Sequence, residues 1–130
     1  MTWEMHPKEF ASVVALPGPE RYEYFIKRVA DWESIWGLYQ DGWFLMGDAE
    51  GRAVFPVWPH PRFAEAIATG DWDGAVAREI SLDDFREKWL PGMTREGKSV
   101  AVFPVPPRQS VPVSPERLTR DLEVELADME

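Results

Sequence analysis

Apolar residues recur at the helical period in several stretches of this chain, separated by short β-branched and aromatic runs. Phe10, Val13 and Val14, behind a first-turn proline at Pro7, predict a short helix ending before Pro17-Gly18. A second helix restarts at Pro19, where Tyr22, Phe25, Ile26, Val29 and Trp32 form one apolar stripe. From Ser34 to Val57 the pattern shortens, which predicts a three-strand meander. Ser34–Gln40 is its first strand, Asp41-Gly42 supplies the positive-φ pair of a two-residue hairpin, and Trp43–Met46 pairs back. The Gly47–Gly51 segment makes a longer turn into a third strand, Arg52–Val57.

Beyond a proline-rich corner at Pro56–Pro61, Phe63, Ala66 and Ile67 predict a short helix closed by Gly70, and Val76–Ile80 a fourth strand. Ser81 is a good N-cap, with Asp84 three residues on and an apolar stripe at Leu82, Phe85, Trp89 and Leu90. That helix should stop at Pro91-Gly92. Lys98–Val105 reads as a fifth strand, Pro106–Ser110 as a turn and Val111–Val113 as a short sixth strand. Ser114-Pro115 caps a last helix that turns Leu118, Leu122, Leu126 and Met129 inward and its acids outward. The expectation is one α+β domain over 1–130. Four or five helices pack on a mainly antiparallel sheet of five or six strands.

Composition narrows the function classes. Seven Trp, seven Phe and three Tyr in 130 residues exclude a disordered chain. Trp32, Trp36, Trp43 and Trp89 fall on predicted core stripes or strands. Fourteen bases against 23 acids give a net charge of −9, which sets nucleic acid aside as a partner because phosphates need Lys and Arg to displace their counterions. The last helix is the most acidic segment, read as a solvated face or as a docking surface for a basic partner. With no Cys there is no disulfide framework and no thiolate site. With only His6 and His60, a metal centre would need carboxylates to supply most of its ligands, so neither a metal nor a cofactor is expected. No apolar run approaches the ~18 residues of a membrane span, and Met1–His6 is unlike a signal peptide, so a cytoplasmic, non-membrane protein is expected.

Three motifs bear on chemistry. Ala53-Val54-Phe55-Pro56-Val57 recurs as Ala101-Val102-Phe103-Pro104-Val105, with Pro59 and Pro107 following each copy. Proline cannot donate to a ladder, so each strand should leave the sheet, bulge or lie on an edge there. The plain reading is two strands with the same exit geometry. The functional one has the exits side by side, presenting Trp58, His60 and Arg108 to one cleft. Gly92-Met93-Thr94-Arg95-Glu96-Gly97-Lys98-Ser99 matches the phosphate-loop pattern, but the predicted order is helix then strand, the inverse of what phosphate binding requires. Asp71-Trp72-Asp73-Gly74 resembles part of a calcium loop, yet its twelfth position falls on Leu82, so a surface turn is the expectation. Trp36, Trp43, Trp58 and Trp72 could stack on a ligand, although aromatics in strands belong to cores more often.

The segments Arg21-Tyr22-Glu23-Tyr24-Phe25-Ile26-Lys27, Val54-Phe55-Pro56-Val57-Trp58-Pro59-His60-Pro61, Phe85-Arg86-Glu87-Lys88-Trp89-Leu90-Pro91-Gly92 and Ala101-Val102-Phe103-Pro104-Val105 resemble the bacterial domain-of-unknown-function family 2750. The likeness runs from about Arg21 to the last helix. It implies a small bacterial α+β protein and carries over no activity, cofactor or catalytic residue. Two functional readings follow. The first is a non-catalytic protein-binding or regulatory module whose candidate surface is Trp58, His60, Arg62 and Arg108, with the acidic last helix as a second face. The alternative is a small-molecule binder or small enzyme using His60 with a carboxylate, held rigid between Pro59 and Pro61.

Overall fold

The computed structural model describes residues 3–47, 50–69, 72–105 and 109–129, so Gly70, Asp71, the Pro106-Pro107 turn and Arg108 lie outside the described residues. Prolines and caps start the helices. His6 caps α1 (Pro7–Val14) through Nδ1, which accepts from the Lys8 amide at 3.0 Å. Pro17 precedes α2 (Gly18–Trp32), which ends where Glu33 turns left-handed at φ 57°. His60 caps α3 (Pro61–Ile67). Ser81 caps α4, which has three parts: Leu82–Asp84, a π-helical turn over Phe85–Trp89, and Leu90–Glu96. Ser114 caps α5 (Pro115–Asp128), its hydroxyl accepting from the Arg117 amide at 3.1 Å.

The described residues form an α+β fold of these five helices and six mostly antiparallel strands, divided between two sheets. In the first, β1 (Ser34–Tyr39) runs antiparallel to β4 (Val76–Ser81), with Ile35 opposite Ile80 and Gly37 opposite Arg78. The second has the order β2 (Met46–Gly47), β3 (Ala53–Val57), β5 (Ser99–Val105), β6 (Gln109–Val113). Only β3 and β5 pair in parallel, and α3, β4 and α4 form the crossover between them. A single antiparallel bridge joins the sheets. The amides of Trp36 and Trp58 each donate to the other's carbonyl, at 2.9 and 2.8 Å.

Only the second half of the meander predicted over Ser34–Val57 forms, with β2 antiparallel to β3, while β1 joins the other sheet. Tyr39 and Trp43 share one bridge, and three residues rather than two span the turn, with Asp41 at φ 57° and Gly42 at φ 149°. The chain then swings away, and β1 takes β4 as its long partner because that pairing joins the buried Ile35 to the buried Ile80.

The end expected for α4 at Pro91-Gly92 is also corrected, since the helix runs on to Glu96 and closes at a left-handed Gly97. Proline has no amide to offer the preceding turn, and the π-turn before it accommodates the break. One hydrophobic core, centred on Trp58, Phe25, Phe85, Phe103, Ile35 and Leu118, touches all the helices and both sheets. No helix among the described residues is long and apolar enough to cross a membrane.

The two copies of the repeated pentapeptide are neighbours, but their geometries differ. They pair out of phase, with Pro56 opposite Ala101, so equivalent residues do not face each other. Side-by-side period two puts the Pro56 nitrogen on the same edge as the Trp58 amide, between Val54, which pairs with β2, and Trp58, which bridges to β1. No ladder donor is needed there. Pro104 instead lies in a register shift between Val102 and Val105, next to Phe103 at φ 56°.

Candidate functional site

The proline corner brings Trp58 and His60 together and encloses both. Trp58 is 0 % exposed, and its Nε1 donates to the Pro104 carbonyl at 2.8 Å. His60 is 4 % exposed, with both ring nitrogens engaged by backbone. Its Nδ1 accepts from the Arg62 amide at 3.1 Å, which puts the proton on Nε2, donated to the Trp3 carbonyl at 2.7 Å. The Trp3 ring stands edge-on to the imidazole at 4.7 Å. Burial pushes the His60 pKa down, opposed by the hydrogen bond to Trp3. No carboxylate bonds the ring among the described residues, so His60 acts as a helix cap and a tie for the segment at Trp3. Arg62 is exposed, its guanidinium 5.7 Å from the Phe10 ring. Arg108 lies outside the described residues.

The phosphate-loop pattern falls largely on helix. Gly92 to Glu96 are the last turns of α4, Gly97 is its left-handed cap, and Lys98 pairs with Glu96 at 3.3 Å. Among the described residues, no three His, Asp or Glu side chains are grouped to hold a metal ion.

A cleft of about 360 Å³ opens beside the π-turn. Trp43 and Leu45 line it from the loop after β1, Phe55 from β3, Lys88, Trp89, Gly92, Met93 and Glu96 from α4, and Lys98 from the approach to β5. Its origin is the helix register. An unbroken α-helix would bury Trp89, four residues after Phe85. Instead the Leu90 amide donates to the Phe85 carbonyl five residues back, and Leu82, Phe85, Leu90 and Met93 fill the core. Trp89 is left half-buried at the rim. Its ring stacks on Phe55 at 5.0 Å and 22°, and meets Trp43 nearly perpendicular at 5.2 Å and 88°.

Trp43 is seated by what is missing beneath it. A Cβ on Gly37 would lie 3.0 Å from Cζ3 of the indole, so only glycine lets the ring rest on β1 without displacement. Arg78, opposite Gly37 on β4, brings its guanidinium to 5.6 Å from the same ring and 4.3 Å from that of Tyr39. At the mouth Lys88 pairs with Asp84 at 3.4 Å, and Lys98 with Glu96. The lining supplies flat apolar walls, two ammonium groups and one carboxylate. Among its described residues it holds no hydroxyl, thiol or imidazole.

Of the Trp residues considered for stacking, only Trp43 reaches this cleft. Trp36 is half-buried beside its bridge to Trp58, and Trp72 packs edge-on against Phe44 at 5.6 Å. Trp89, Phe55, Lys88 and Met93 were not legible as a site. Two adjacent apolar residues, Trp89-Leu90, directly before a proline were the available signal, since one of them must leave a regular stripe.

Fold and cleft define a small α+β protein with a mixed four-stranded sheet and a two-stranded flank. The chain belongs to the family described as protein of unknown function (DUF2750), whose sequence model matches residues 22–122. No curated protein and no solved structure shows significant similarity to it. The matched span includes every cleft residue and His60, while Trp3 and α1 precede it.

Proposed function

We propose that the protein is a cytoplasmic, non-catalytic binding module that recognises an apolar group through the Trp43–Phe55–Trp89 cleft. The observation carrying this reading is a concave space of about 360 Å³ walled by two half-buried indoles. That volume is at the small end of the ~300–1,000 Å³ typical of ligand sites. A π-turn supports it further, because such turns persist where they place a side chain that a regular helix would misdirect. The test is titration of the full chain with a neutral aromatic probe, naphthamide, followed through the indole N–H resonances. Signals of Trp43 and Trp89 should shift and saturate, and Trp89→Ala should abolish the response. Unchanged spectra would refute a binding role for this cleft.

A protein partner is a second reading, favoured by Val124 on the acidic α5 and by Met129 just past its end, expected to turn inward with Leu118 and Leu122 but half exposed because the helix stops before it. A basic amphipathic segment matches that face in charge and polarity. Salt-sensitive binding of such a peptide, lost in Val124→Glu, would support it, and binding unaffected by the substitution would refute it.

A further inference from the structure

We propose that the ligand of the cleft is a small aromatic carboxylate, an inference that rests on the binding role proposed above and adds the sign of the ligand's charge. Ring geometry sets the shape. Trp43 and Trp89 lie nearly perpendicular at 5.2 Å, and Phe55 already covers one side of Trp89, so the open walls suit one thin, flat group. Charge sets the rest. The whole chain carries −9, yet at the cleft mouth Lys88 and Lys98 stand against Asp84 and Glu96, a local balance of 2 − 2 = 0. An anion approaching this acidic protein is repelled least where cations offset the acids one for one, and there it can compete for the two ammonium groups.

The lysines are held loosely. The Lys88–Asp84 side chains are 73 and 53 % exposed and those of Lys98–Glu96 40 and 60 %, and exposed pairs of this kind contribute little. Their ammonium groups are therefore free to turn to a ligand carboxylate while their methylene stems stay on the cleft wall. Indole faces also attract cations, but a cation would enter between two lysines, and Arg78 already stands 5.6 Å from the Trp43 ring. The anion is the better match.

The test compares three isosteres on the full chain: naphthoate, naphthamide and naphthylmethylammonium. Naphthoate should bind about fivefold more tightly than naphthamide at low ionic strength, the scale of one or two exposed charge pairs. Raising the salt should shrink that advantage while naphthamide affinity holds. The double variant Lys88→Gln, Lys98→Gln should equalise the two probes. Equal affinities in the unaltered protein, or tighter binding of the ammonium, would overturn the carboxylate assignment and leave the cleft reading standing. Loss of naphthamide binding altogether would overturn the cleft reading itself. A peptide ending in tryptophan that bound far more tightly than naphthoate would replace the small molecule with a chain terminus.

Discussion

The Trp58 indole nitrogen donates to the Pro104 carbonyl across 2.8 Å in the core, joining the exits of two strands that carry the same five residues. The strands pair in parallel but out of phase, so Phe55 lies in a regular ladder while Phe103 takes φ 56°. A bulky residue in the left-handed region is strained, and here its carbonyl is bonded by Arg21 Nε at 3.1 Å. Trp58 and Arg21 together satisfy the two carbonyls that the bulge removes from the ladder.

Replacing Trp58 with Phe keeps an aromatic ring and removes the donor. Leaving the Pro104 carbonyl buried without it should cost about 1–3 kcal/mol in urea unfolding. Trp58→Ala, which also opens a cavity, should cost about 3–5 kcal/mol. Equal losses for the two variants would show that the hydrogen bond contributes nothing measurable.

His60 should make stability fall in mild acid. Its folded pKa lies below the ordinary value, so the neutral ring is the form the fold prefers. The contribution is complete above the unfolded pKa of about 6.5 and is lost as pH falls through the lower folded value. Protonation of Nδ1 would also remove the acceptor that caps α3. His60→Asn keeps a capping acceptor that does not titrate. The difference in melting temperature between wild type and variant should therefore change between pH 7 and pH 5, and a constant difference would refute the assignment.

The π-turn makes opposite demands on two adjacent residues. Leu90→Ala should cost about 2–5 kcal/mol, since Leu90 occupies the core position after Phe85. Trp89→Ala should cost less than Leu90→Ala while removing the cleft wall. Chemical denaturation of the pair checks the order, and a larger loss at Trp89 would indicate a regular α-helix in solution.

Gly37→Ala should displace the Trp43 ring. A methyl group 3.0 Å from the indole overpacks a buried site, at about 1–3 kcal/mol, and should weaken naphthamide binding. Combining it with Trp43→Leu should recover part of the stability but none of the binding. Strict additivity of the two changes would argue against their contact.

The helix starts were readable residue by residue. Pro7, Ser81 and Ser114-Pro115 act as predicted because capping and first-turn geometry involve only near neighbours. The Trp assignments went differently. Trp32, placed on a core stripe, is 36 % exposed, and Trp58, placed at a surface corner, is wholly buried. Nothing local separates them. Trp58 is enclosed because Trp36 and Pro104, 22 and 46 residues away, meet it with hydrogen bonds.

The sequence by itself determined the class of fold, the serine caps and first-turn prolines, the existence of the strands and the acidic outer face of α5, all consequences of periodicity, turn chemistry and charge within a few residues. Tertiary structure decided which strands pair, that β3 and β5 run parallel, and that α4 takes on an extra residue in its turn. That last choice depends on core space fitting Leu90 and on Trp43 and Phe55 receiving Trp89. Contacts so distant along the chain exist only once the fold has closed, and they are what turn a stripe residue into the wall of a cleft.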